Sequence, residues 1–464
     1  MQDLNPRSQV RSTDWLLALL AVGGTAVFLL VLGWVGADID VWYGAGLVRA
    51  LAERPLPPES LGHVPKLAHL AILAPAAALG STPEYWLLVV GIASLIWIVW
   101  CHVRWARAAF VSTPRLVLAL ALAPLLWRAT LDGGSVAWGW GCVLMALTSR
   151  AAGTRGAPAW LALGALFRPE CVGVGLALGV RGRLAGNRGA WWMVATPLIA
   201  AALGTMAVDL LWSGSIGASS IAHSVFESVG LEQVRGRWGF ADTGHPWLQL
   251  SLPLLIGAAI ALTRRVVRVT GANEVHVPID ELMVAAVGFS VISIGNVATG
   301  GTLFVRFLLP WVSVVAALSV AIPWPATLWR RTALLSAAAL CTMFGWRLVA
   351  PEFVGTYPTA DALLVARRVA RTTSPKIIVA MDAGARAVTL GSGARPWKTT
   401  PWILQSAEIP CQSQAIIVRG ALLARLDSVA LARCGPWRDF VVDSAQTQVG
   451  LRVLVAFRNG EPPR

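Results

Sequence analysis

Apolar residues run along this chain in blocks of membrane length, parted by short polar turns in which arginine recurs. A membrane helix needs about 20 mostly apolar residues. By that measure the pattern predicts spans near 15–35, 85–101, 115–131, 134–149, 158–168, 169–180, 190–212, 247–263, 281–299, 304–323 and 332–350. The blocks at 158–168 and 169–180 are short and read as one span or as a broken pair. Leu67–Leu79 is too short to span and reads as a helix lying at the membrane surface. After residue 350 the pattern changes. Residues 376–382, 414–419, 439–443 and 452–457 alternate or cluster as strands do, and 359–371 and 421–432 read as helices. The expected fold class is an α-helical polytopic membrane protein with about 11 transmembrane helices over residues 1–350. Residues 351–464 are expected to form a small C-terminal α/β domain.

The placement of charge sets the expected orientation. Cytoplasmic loops collect Lys and Arg. With the N-terminus inside, the clusters Arg7/Arg11, Arg104/Arg107/Arg115, Arg150/Arg155, Arg181/Arg183/Arg188, Arg264/Arg265/Arg268 and Arg330/Arg331 all fall on the cytoplasmic side. Most of the acids before residue 351 fall outside. The loop 36–84 and the C-terminal domain are then extracytoplasmic. The first apolar run is of full span length with no small-residue cleavage site after it, so it reads as a retained helix. Composition agrees: 56% of the residues are hydrophobic and 13% charged, against roughly 25% charged in an average soluble domain. This excludes a disordered chain and a soluble globule. The formal net charge of +14 is mostly topology, so the expected partner is the lipid bilayer and not nucleic acid.

The remaining charges gather at the outer ends of spans. Asp38 and Asp40 lie two positions apart in Gly36–Gly46, just past the first span, with Tyr43 in the same segment. Such a pair can share a divalent cation, or one carboxylate can act as general base toward a hydroxyl; solvated capping acids are the plainer account. His63 and Lys66 open the surface helix. Arg168 and Glu170 flank Pro169 between the two short blocks, where they can pair with each other or Arg168 can hold a phosphate. Arg306 starts a later span with no acid near it in sequence. Asp132 and Asp209 mark two more outer span ends, and His223 and His245 stand in the second outer loop. Cys101, Cys142, Cys171 and Cys341 belong to apolar spans and read as packing residues. Cys411 and Cys434 are the pair in the C-terminal domain and can form a disulfide.

Taken in order, these segments resemble the GT-C superfamily of bacterial membrane glycosyltransferases, which use polyprenyl-phosphate-linked sugars. Asp38-Ile-Asp-Val-Trp-Tyr43 resembles the aspartate-bearing first outer loop, running into a helix at Val41–Glu53. His63-Val-Pro-Lys-Leu67 resembles an HPPL or PKPL element, Leu166-Phe-Arg-Pro-Glu170 an L-x-RPE turn, and Val305-Arg-Phe-Leu-Leu-Pro310 an R-[YF]-L-L-P segment. The resemblance implies sugar transfer from a polyprenyl-phosphate donor to a glycan, glycolipid or protein acceptor of the cell envelope. It implies a bacterial plasma-membrane location, with Asp38 or Asp40 as base or as ligand to a possible Mg or Mn ion. Lys66, Arg168 and Arg306 are the candidate donor-phosphate contacts, and His63, Tyr43, Glu170, Asp132 and His245 the candidate substrate contacts. The first loop lacks adjacent acids, and Lys66 replaces the second proline of HPPL. A transporter or flippase for a lipid-linked substrate is the alternative, but no internal repeat and no midplane charge support it.

Overall fold

The computed structural model describes residues 12–31, 39–49, 51, 54–55, 66–79, 84–221, 245–267, 277–298, 304–320 and 327–354, and four short strands beyond. The chain enters through α1 (Ser12–Val31), followed by α2 (Ile39–Arg49), α3 (Leu67–Leu73), α4 (Pro75–Ala78) and the long α5 (Glu84–Ala108). Then come α6 (Thr113–Ala121), α7 (Pro124–Leu131), α8 (Ser135–Ala151), α9 (Ala157–Phe167), α10 (Cys171–Leu184) and α11 (Trp192–Ser213). The later helices are α12 (Pro246–Gln249), α13 (Leu252–Val267), α14 (Val277–Ala298), α15 (Leu309–Val320) and α16 (Leu328–Val354).

Large side chains stand exposed along the outward faces of α1, α5 and α11, among them Leu19, Leu30, Ile96, Leu198 and Leu203. Water does not tolerate apolar faces of this extent on a stable monomer, whereas hydrocarbon does. Among the described residues three helices have the length and apolarity to cross a bilayer: Tyr85–Ala108, Arg188–Ser213 and Pro278–Gly295. Five more are apolar but 10–17 residues long. The expected span at 115–131 is not one straight helix. It is α6 and α7, bent by 79°. Pro124 is the cause: it has no N–H to continue the ladder, and it holds Ala123 extended at φ −97°, ψ 106°. The two short blocks are two separate helices and not one continuous span. Pro169 ends α9, Arg168 is extended at φ −151°, and α10 restarts at Cys171.

Helix α10 carries glycine on two faces. Gly175, Gly179 and Gly182 share one helical face and lie against α11 and the turn before it, while Gly173 faces Gly288 of α14. A methyl group at Gly288 would stand 2.5 Å from the Gly173 carbonyl oxygen. The backbones therefore touch, as small residues allow between membrane helices. Where Arg150 ends α8, its guanidinium grips Glu281 of α14, with Nε 3.2 Å from each carboxylate oxygen.

A polar knot crosses the core. His102 Nδ1 lies 2.8 Å from the Ile98 carbonyl, which only accepts, so Nδ1 carries the hydrogen. Nε2 then accepts from the Ser313 hydroxyl at 2.8 Å, and the Ser313 oxygen accepts the Trp140 indole N–H at 2.8 Å. All three residues are buried. Replacing Ser313 by Ala leaves two buried groups unpaired. It is expected to cost about 1–2 kcal/mol, read as a lowered unfolding midpoint in detergent.

Strands β1 (Ile378–Ala380), β2 (Ala415–Arg419), β3 (Trp437–Phe440) and β4 (Val453–Arg458) form one sheet in the order β1-β2-β4-β3. Strands β1 and β2 are parallel, and β4 is antiparallel to both β2 and β3. The sequence placed strands at these four segments. The helices expected at 359–371 and 421–432 lie outside the described residues, as do Cys411 and Cys434.

Candidate active site

The site begins at the turn between α7 and α8. Gly133 has φ +72°, which glycine adopts without strain. The Asp132 Oδ1 accepts from the Gly134 amide at 2.7 Å and so fixes the start of α8. Below it, the Ser94 hydroxyl of α5 donates to the Thr130 carbonyl at 2.6 Å. From the other side, His69 of α3 donates its Nε2 hydrogen to the Gly133 carbonyl at 2.9 Å. Asp132 and His69 are both buried.

The turn is also where α2 arrives. A Cβ on Gly133 would meet the Val41 methyl at 3.5 Å, so Val41 packs directly on the turn. Gly44 admits Leu70 and Leu73 of α3, and the Leu47 carbonyl accepts the Trp212 indole N–H of α11 at 2.8 Å. Three contacts thus hold α2, and its backbone at Asp40 is next in chain to Val41. The side chains of Asp40 and Tyr43, and the whole of Asp38, His63 and His223, lie outside the described residues.

One residue past the turn, the Ser135 hydroxyl lies 3.4 Å from Arg168 Nη1. Arg168 Nη2 donates to Glu170 Oε1 at 3.1 Å. The guanidinium carbon stands 4.8 Å from the centre of the Phe307 ring. Arg168 and Glu170 are 3% and 8% exposed, so their charges compensate each other out of water. Cys171 is buried behind them, with its Sγ 3.7 Å from the Gly139 carbonyl. Arg306 is half-buried over the Phe304 ring at 4.4 Å, and Lys66 is half-buried at the start of α3. His245 is exposed at the start of α12.

Asp209 and Glu170 both have partners within the protein. Asp209 accepts from the Gly217 and Ser219 amides at 2.8 and 2.9 Å, closing the loop after α11. Glu170 pairs with Arg168, the plainer of the two accounts open from sequence. Arg128 and His69 were not singled out from sequence. Arg128 is 4% exposed, lies one helical turn before Asp132, and reaches Gln249 Oε1 at 3.4 Å. Its signal was a lone arginine inside the apolar run Leu125–Leu131.

Beside α7 runs an apolar groove of about 330 Å³, bounded by Pro124, Trp247, Leu248, Leu340, Phe344 and Leu348. Among the described residues no three His, Cys, Asp or Glu side chains gather as a metal site.

This architecture is similar in fold to solved structures of an ArnT and of an Archaeoglobus oligosaccharyltransferase. The chain matches ArnT from Cupriavidus metallidurans in its apo state at 14% identity, over 96% of this chain and 98% of that one, with a TM-score of 0.54. It matches the same protein bound to undecaprenyl phosphate at 14% identity, over 98% and 100% of the two chains, with a TM-score of 0.52. The Archaeoglobus fulgidus oligosaccharyltransferase, in complex with Zn and sulfate, matches at 11% identity over 86% of this chain, with a TM-score of 0.52. This chain spans 66% of that protein's length. No family model matches the sequence, and no curated protein matches it significantly.

Proposed function

We propose that the protein transfers a sugar from a polyprenyl-phosphate carrier to a cell-envelope glycan, glycolipid or protein on the outer face of a bacterial plasma membrane. In this reading the N-terminus is cytoplasmic and residues 351–464 are extracytoplasmic. The observation that carries the reading is the gathering of buried Arg128, Asp132, Arg168 and Glu170 at the end of the bundle where α2 brings in Asp40. Intramembrane charges are costly and cluster where a polar ligand is handled. The fold shared with ArnT, solved with undecaprenyl phosphate, supports a lipid-linked donor.

The chemistry follows from the groups. An acceptor hydroxyl attacks the anomeric carbon and gives its proton to Asp38 or Asp40. The carbon–oxygen bond to the lipid phosphate breaks, and the phosphate leaves as an anion. Lys66, Arg168 and Arg306 are our candidates to neutralise it, Arg168 with its charge shared with Glu170. Tyr43, His63, Asp132 and His245 remain candidate substrate contacts. The groove beside Pro124 and Phe344 offers the isoprenoid chain an apolar path ending one helical turn from Arg128. A Mg or Mn ion would be held by Asp38 and Asp40, and loss of activity on adding EDTA tests that.

The test is a transfer assay with purified protein in lipid nanodiscs. Decaprenyl-phosphate mannose and decaprenyl-phosphate arabinose serve as donors, with cell-envelope glycan fragments as acceptors. Transfer of labelled sugar is expected. Flux of the lipid across liposomes without transfer would instead establish a flippase.

A further inference from the structure

Glu170 holds a feature of this cluster that pairing with Arg168 does not explain. Its Oε1 is engaged at 3.1 Å, while Oε2 is buried with no hydrogen-bond partner among the described residues. The residue as a whole is 8% exposed. Buried carboxylate oxygens in native proteins nearly always have a donor. The side chain is not loose either. Glu170 sits in the turn that begins α10, Arg168 grips its first oxygen, and Arg168 is itself seated on Phe307 and Ser135. The second oxygen is therefore held in a fixed place at the start of α10.

We infer that Glu170 Oε2 accepts a hydrogen bond from a sugar hydroxyl of the bound substrate, and that this contact selects for the sugar. The inference rests on the transferase reading above. The chemistry narrows the ligand. Oε2 belongs to an ion pair whose net charge is zero, so a neutral hydroxyl completes it without leaving a buried charge unmatched. A carboxylate sugar placed there would set anion against anion. The hydroxyl belongs to a neutral sugar, carried on the donor lipid or on the acceptor.

The experiment compares the full-length wild type with Glu170→Gln, which presents an amide to Arg168 and to the sugar. Binding is measured for decaprenyl phosphate and for decaprenyl-phosphate mannose. If the hydroxyl is the donor's, the variant lowers the ratio of mannosyl-lipid affinity to bare-lipid-phosphate affinity about ten- to a hundred-fold, whatever the freed Arg168 charge does to both. If it is the acceptor's, that ratio holds and the acceptor KM rises by the same factor at saturating donor. An unchanged ratio together with an unchanged acceptor KM overturns the inference. If the wild type binds neither lipid, the transferase reading fails and takes the inference with it. Should Glu170→Gln fail to fold, Glu170→Asp keeps the charge pair but withdraws the oxygen by one methylene, and the same comparison decides.

Discussion

Asparagine in place of Asp38 or of Asp40, one at a time, lowers kcat for sugar transfer by about 10²–10⁴-fold in at least one of the two variants, with donor affinity kept. A general base contributes in that range, and Asn keeps the size while removing the proton acceptor. The assignment rests on α2. Its backbone is fixed by Val41 on Gly133, by Gly44 against Leu73 and by Leu47 bonded to Trp212, so a residue at position 40 is carried on an anchored helix. A loop aspartate without such anchoring loses the advantage of orientation. The readout is the initial rate of labelled-sugar transfer at saturating donor, with lipid binding measured in parallel. Full rates in both variants would remove these carboxylates from the chemistry. A fall in donor affinity at unchanged kcat would move them to binding.

The second large effect is on folding. Leucine at Gly288 is expected to abolish the monodisperse folded protein in detergent. The added side chain has to enter a space where even a methyl meets the Gly173 carbonyl oxygen at 2.5 Å and the Ala177 methyl at 2.8 Å. Backbone cannot give way as a flexible side chain can, so the cost exceeds the roughly 1–3 kcal/mol usual for overpacking. Gly295 of the same helix is the control. A Cβ there meets nothing within 4 Å, and Gly295→Leu is expected to fold normally. Size-exclusion elution and thermal unfolding of the two variants make the comparison. If Gly288→Leu behaves like Gly295→Leu, the α10–α14 contact is not what holds this part of the bundle.

Much of this fold was legible because the bilayer imposes a simple rule: helix wherever the apolar run is long, arginine where it stops. That rule placed α5, α8, α11 and α14 and identified the turn at Arg168-Pro169-Glu170. It failed at 115–131, where hydropathy ran on smoothly through Pro124 while the backbone did not. Proline costs little hydropathy but removes a hydrogen bond, so a window average passes over it. In the site, the Arg168–Glu170 pair was readable because both members sit in one turn. The contacts of His69 with Gly133, Arg128 with Gln249 and Arg168 with Ser135 were not, because they join residues 64, 121 and 33 positions apart. No periodicity encodes such a pairing. Asp209 stayed open from sequence: a carboxylate at a span end looks the same whether it meets a substrate or two backbone amides.

The glycine faces of α10 also decide which half of the molecule can breathe. Where backbone rests on backbone there is no side chain to change rotamer and no slack to take up a shift, so α10 acts as a fixed post against α11 and α14. The opposite wall, α2 on α3, meets through Leu70 and Leu73, which have other rotamers to visit. Closing of the site would then move α2 and α3 toward a stationary Arg168–Glu170 turn. Amide hydrogen exchange would record it as slow, ligand-independent exchange along α10 and as protection gained on α2 and α3.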